Sequence, residues 1–69
     1  MMNTYLELDT LSSETLNGFI EEAIQQDETL GFFLLGKAAA YVDVAFVLEL
    51  ITQTEAEDLL ARIEHYLSL

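Results

Sequence analysis

The sequence predicts an all-α protein, one compact bundle of three to four helices with a short N-terminal arm or helix. Proline is absent, the three glycines Gly18, Gly31 and Gly36 all fall in the first half, and apolar residues recur at helical spacing along most of the 69 residues. A chain of this length makes a single domain, residues 1–69, and its 52% apolar content suffices to bury a core.

Residues 4–11 read two ways. Leu6 and Leu8 alternate with Glu7 and Asp9 as in a strand, while Thr4 and Glu7 have capping-box spacing. No partner run exists for a strand, so a short helix or an extended arm is expected. The first clear helix covers residues 13–26, where Leu16, Phe19, Ile20, Ala23 and Ile24 repeat at i, i+3, i+4, i+7 and i+8. Ser12 precedes it as the N-cap, with Leu11 and Leu16 at the two positions of a hydrophobic staple. Gly18 inside this helix costs about 1 kcal/mol relative to Ala, which points to a close approach there.

Asp27, Glu28 and Thr29 signal a second helix start, since acids near a helix N-terminus complement its dipole. The apolar run that follows, residues 30–51, is long enough to span a bilayer. Lys37, Asp43 and Glu49 interrupt it, each costing about 2.5–3.5 kcal/mol near the centre of a membrane helix, so a buried helix is expected instead. Gly36 is expected to divide the run into a short helix, residues 29–35, and a longer one, residues 37–51. Ala38, Ala39, Ala40, Tyr41, Val42, Val44, Ala45, Phe46, Val47 and Leu48 make the longer helix apolar on every side, which calls for cover on every side. Either the alanines stand half-exposed, or a second copy covers them through Tyr41, Val44, Phe46 and Val47.

The last helix, residues 53–67, has a capping box at Thr52 and Glu55 and staple positions at Ile51 and Ala56. Its apolar stripe is Ala56, Leu59, Leu60, Ile63, Tyr66 and Leu67, and Asp58 and Arg62 stand at ion-pair spacing.

Little here has the spacing of catalysis. His65 is the only histidine, and neither Glu-x-x-His nor a calcium loop is present, so no metal or other cofactor is expected and the chain reads as a non-enzyme. Ser12 and Ser13 sit at a helix start, where they serve as caps. Gly31 to Lys37 has the outline of a phosphate loop, but Phe32, Phe33, Leu34 and Leu35 fill it with bulk and Ala38 stands where the metal-binding hydroxyl belongs. The chain has no cysteine, and residues 1–9 show neither a positive n-region nor an apolar h-region, so a cytoplasmic protein is expected.

Charge is the informative quantity. Thirteen acids stand against Lys37 and Arg62, a net −11, and the first 36 residues contain seven acids and no base. Direct binding to nucleic acid or to an anionic membrane is therefore disfavoured, because either polyanion would be repelled. Glu14, Asn17, Glu21, Gln25 and Glu28 form a polar stripe on the first long helix. Together with Glu22 and Asp27, and with Glu55, Glu57 and Asp58 on the last helix, they make a candidate acidic face. Ordinary surfaces mix both signs, and uncompensated like charge raises the energy of the compact state. A polyanionic face fits a strongly basic partner, a protein or nucleoprotein complex whose Lys and Arg groove is spaced for phosphates.

In size, charge and lack of catalytic spacing the chain resembles the small acidic inhibitors encoded by phages and mobile elements, DNA mimics and anti-CRISPR proteins among them. The resemblance is one of whole-chain composition and assigns no roles to individual residues. It implies stoichiometric inhibition, with the acidic face standing where the target holds DNA or RNA. The alternative is a dimeric helical adaptor or regulatory module acting through residues 37–51.

Overall fold

The computed structural model describes residues 10–68, so the arm or helix expected over residues 4–11 lies almost wholly outside the described residues. Three helices and no strand occur among them: α1 (Ser13–Ile24), α2 (Glu28–Val47) and α3 (Gln53–Leu67). The connections, residues 25–27 and 48–52, are short, which sets consecutive helices antiparallel and leaves α1 and α3 running the same way.

Each start is chemically specified. Ser12 Oγ accepts the Thr15 backbone N–H at 3.1 Å, and Asp27 Oδ1 accepts that of Leu30 at 2.9 Å. At α3 the capping box closes fully: Thr52 Oγ1 accepts from the Glu55 N–H at 3.1 Å, and Glu55 Oε1 accepts from the Thr52 N–H at 2.9 Å. These bonds satisfy donors that helix geometry leaves without intrahelical partners. Leu11 and Leu16, and likewise Ile51 and Ala56, are buried at the staple positions.

The division at Gly36 does not occur. α2 continues through it for 20 residues. One glycine costs about 1 kcal/mol in a helix interior, less than the burial gained by keeping Leu34, Leu35, Ala38, Val42 and Ala45 on one unbroken face. The close approach expected at Gly18 is absent too, since a Cβ there would meet nothing within 4 Å. It falls instead at Gly31, buried, where a Cβ would stand 3.0 Å from the Ala23 carbonyl oxygen.

α2 ends at Val47, short of residue 51, in a Schellman turn. The Leu50 N–H donates to the Ala45 carbonyl at 2.9 Å and the Glu49 N–H to that of Phe46 at 3.0 Å. Glu49 occupies the left-handed position, φ 62°, where glycine is favoured because it has no Cβ to clash. Glu49→Gly is accordingly expected to raise stability by about 1 kcal/mol in a urea titration. A loss would show that the glutamate side chain itself holds the turn.

The core is contributed by all three helices: Leu16, Phe19, Ile20 and Ala23 from α1, Leu34, Leu35, Ala38, Val42 and Ala45 from α2, and Ala56, Leu59 and Ile63 from α3. No polar or charged residue is buried among the described residues. Tyr41 reaches into the α1 side of this core, its ring edge-on to Phe19 with centroids 5.7 Å apart. By rise per residue α2 is about 30 Å long, close to the longest dimension of the molecule, 32 Å. It has the length and hydropathy of a membrane span, and only 33% of that apolar window is buried within the protein. In the bundle it packs one face against both neighbours and turns the other outward.

Candidate functional site

Two surfaces emerge, one acidic on α1 and α3, one apolar on α2. On the first, Arg62 bridges the helices: its guanidinium donates to Asn17 Oδ1 at 2.7 Å and pairs with Glu21. The i, i+4 partner expected for Arg62, Asp58, is thus displaced by a partner from α1. An interhelical bond can recruit two acceptors at once, whereas an exposed pair within one helix is worth only a few tenths of a kcal/mol. The Arg62 side chain is 28% exposed and that of Glu21 55%, so the bridge orients the two helices more than it stabilises them.

The bridge also takes part of the polar stripe out of the free acidic face, since Asn17 and Glu21 lie at the seam with α3. Asp27 and Glu55 are employed as helix caps. Glu57 accepts from the Gln53 side chain at 3.1 Å. Glu14, Glu22, Glu28 and Asp58 are exposed, as is Glu57. Glu14 shares a helical row with Glu21, and Asp58 one with Arg62, so these two flank the α1–α3 seam on the side of the helix starts. Glu22 points away from that row, and Glu28 stands on the first turn of α2. Arg62 is the only base on α1 or α3, and the other base of the chain, Lys37, is on α2. The acidic surface therefore carries no compensating charge beyond Arg62.

The second surface was only half legible. Of the residues expected to meet a second copy, Tyr41 turns inward to Phe19, Val44 is half-buried, and Phe46 and Val47 are exposed. Unbroken α2 adds the residues N-terminal to Gly36. Phe33 is 61% exposed and Val47 76% exposed, on the same side of one helix, with exposed Gly36, Ala40 and Asp43 between them. Lys37 Nζ lies 5.6 Å from the Phe33 ring centroid, a cation–π contact on this face. Phe32 and Leu48 are exposed at its two ends. Placing Phe33 and Val47 together required knowing that the helix continues, because a break at Gly36 assigns them to different elements.

No set of three His, Cys, Asp or Glu side chains gathers as a metal site among the described residues. His65 is exposed in the last turn of α3 with its ring edge-on to Tyr66, centroids 5.6 Å apart. A shallow cleft between the end of α1, the start of α2 and Tyr66 of α3 is lined by Ile24, Gln26, Asp27, Glu28, Gly31, Phe32 and Leu35. What the arrangement offers is two surfaces of opposite character. No protein-family model, curated protein or solved structure matches the chain.

Proposed function

We propose that this chain is a cytoplasmic, non-enzymatic inhibitor of the DNA-mimic or anti-CRISPR type, which binds a basic nucleic-acid-binding protein or complex through the acidic α1–α3 surface and blocks DNA or RNA engagement stoichiometrically. The observation that carries the reading is the segregation of charge. Eleven of the thirteen acids lie within residues 10–68, and α1 and α3 oppose theirs with Arg62 alone. Rigid helices present carboxylates at spacings of about 5–6 Å along a row, and a basic groove built for phosphates gains from them the same electrostatic steering it gains from nucleic acid. Such binding weakens as salt screens it, over a Debye length of about 8 Å at physiological ionic strength.

The test is capture of proteins from a cell extract on the immobilised chain at low and at physiological salt, followed by challenge with duplex DNA. DNA is expected to displace the captured protein. The triple variant Glu14→Lys, Glu22→Lys, Asp58→Lys, chosen to spare the Arg62 bridge and the caps, is expected to lose at least about 10-fold in affinity, or 1.4 kcal/mol. Undiminished capture by that variant, or capture indifferent to DNA, would refute the proposal. A second reading, a helical adaptor acting through α2, is favoured by the outward exposure of Phe33 and Val47.

A further inference from the structure

The sequence holds one Asn-Gly pair, Asn17 and Gly18, and the fold sets it inside α1 at the seam with α3. Asn17 is half-buried, its Oδ1 accepting from the Arg62 guanidinium at 2.7 Å. Gly18 is exposed, and no packing reason accounts for it, because a Cβ there would meet nothing within 4 Å. The pair has a chemistry of its own. A carboxamide one residue before a glycine faces the least hindered backbone nitrogen a chain can offer, since glycine has no Cβ. Asn3, the other asparagine, is followed by Thr4, whose branched β-carbon crowds the nitrogen instead.

We propose that Asn17 is a site of spontaneous conversion to aspartate and isoaspartate, and that the opening of α1 sets its rate. In the open chain the Gly18 nitrogen, giving up its proton to solvent, bonds to Asn17 Cγ and closes a succinimide ring, and the side-chain nitrogen leaves as ammonia. Water then opens the ring. Addition at the side-chain carbonyl gives aspartate and addition at the main-chain carbonyl gives isoaspartate, with no oxidant or reductant taking part. Two features of the fold oppose the first step. Within α1 the Gly18 N–H belongs to the helical ladder, bonded four residues back, and helical backbone angles keep that nitrogen from turning towards Cγ. The Arg62 bond holds the carboxamide on the α3 side. Reaction therefore requires α1 to open, and the rate in the folded protein is the open-chain rate scaled by the open fraction.

The two products return to different structures. Aspartate keeps the main chain intact and places a carboxylate where Arg62 already donates, adding an acid to the row of Glu14 and Glu21. Isoaspartate carries the main chain through its β-carbon, one atom longer, which breaks the ladder of α1. A chain left open is thus marked by an added negative charge, and in the isoaspartate form by a lost helix as well. This holds whether or not the acidic surface binds a basic partner.

The full chain is incubated at mildly alkaline pH in buffer and in urea above its unfolding midpoint, with ion exchange measuring the added charge and peptide mass spectrometry locating it. In urea, conversion is expected at Asn17 and not at Asn3. In buffer it is expected to be at least about 10-fold slower. Gly18→Ala is expected to slow conversion in urea at least about 10-fold, because its Cβ hinders the nitrogen. Gly31→Val, which loosens the α1–α2 seam, is expected to raise the rate in buffer and to leave the rate in urea unchanged. After removal of urea the aspartate product is expected to regain the helical circular dichroism of Asn17→Asp, and the isoaspartate product to fall short of it. Equal rates in buffer and urea, or a Gly31→Val rate in buffer no faster than that of the unsubstituted chain, would overturn the control by α1. Conversion of Asn3 as fast as that of Asn17, or a Gly18→Ala variant that converts in urea undiminished, would overturn the site itself. A fully helical isoaspartate product would remove the structural mark.

Discussion

Phe19→Ala is expected to cost about 3–5 kcal/mol, a large part of the stability of a chain this short. Phe19 is only 4% exposed, at the centre of the α1 contribution to the core, and its ring meets Tyr41 of α2 edge-on. Removing it loses the transfer free energy of a large apolar side chain, opens a cavity and deprives the Tyr41 ring of its partner. The margin to absorb this is small. At about 0.05–0.15 kcal/mol per residue, a chain of this length has roughly 3–10 kcal/mol in total, and it has no disulfide to stabilise it covalently. Urea denaturation followed by circular dichroism measures the effect as a fall in midpoint at unchanged slope. A cost below about 1 kcal/mol would show that Phe19 does not occupy the core.

Gly31 and Gly36 are expected to respond to substitution with opposite sign. Gly31→Val places a Cβ 3.0 Å from the backbone oxygen of Ala23 and adds two methyl groups in the same α1–α2 seam. A backbone carbonyl cannot rotate aside as a side chain can, so the expected loss is about 3 kcal/mol, the upper range for overpacking. Gly36→Ala enters open space in the middle of a helix and is expected to gain up to about 1 kcal/mol through helix propensity alone. Both are measured in dilute solution, where the α2 face is uncovered. A stabilised Gly31→Val would mean that α1 and α2 stand farther apart than described, and a destabilised Gly36→Ala would mean that something does approach that position.

The readings that succeeded from sequence were those decided by neighbours along the chain. Ser12, Asp27 and Thr52 start their helices because a side-chain oxygen two or three residues from a backbone N–H can satisfy it whatever the rest of the molecule does. The apolar stripes of α1 and α3 identified their buried faces for the same local reason, since residues at i, i+3 and i+4 share a side of any helix. α2 was harder. It is apolar all round, so its periodicity names no buried face, and only packing against α1 and α3 selects Leu34, Ala38, Val42 and Ala45 for the inside and Phe33, Ala40 and Val47 for the outside. The glycines were misjudged by the same ambiguity: propensity marks all three as weak points, while only the position of the Ala23 carbonyl shows that Gly31 is the one where a side chain would not fit.

By itself, then, the sequence determined that the protein is all-α, where its helices begin, and that its charge is heavily negative, because caps, periodicity and composition are local or additive quantities. Tertiary structure decided that the long apolar run is one unbroken helix, because the burial shared with two neighbours outweighs the cost of a single glycine. It also decided which acids stand free and which are occupied. Arg62 reaches across 41 residues of sequence to Glu21, a contact that exists only once α1 and α3 lie side by side.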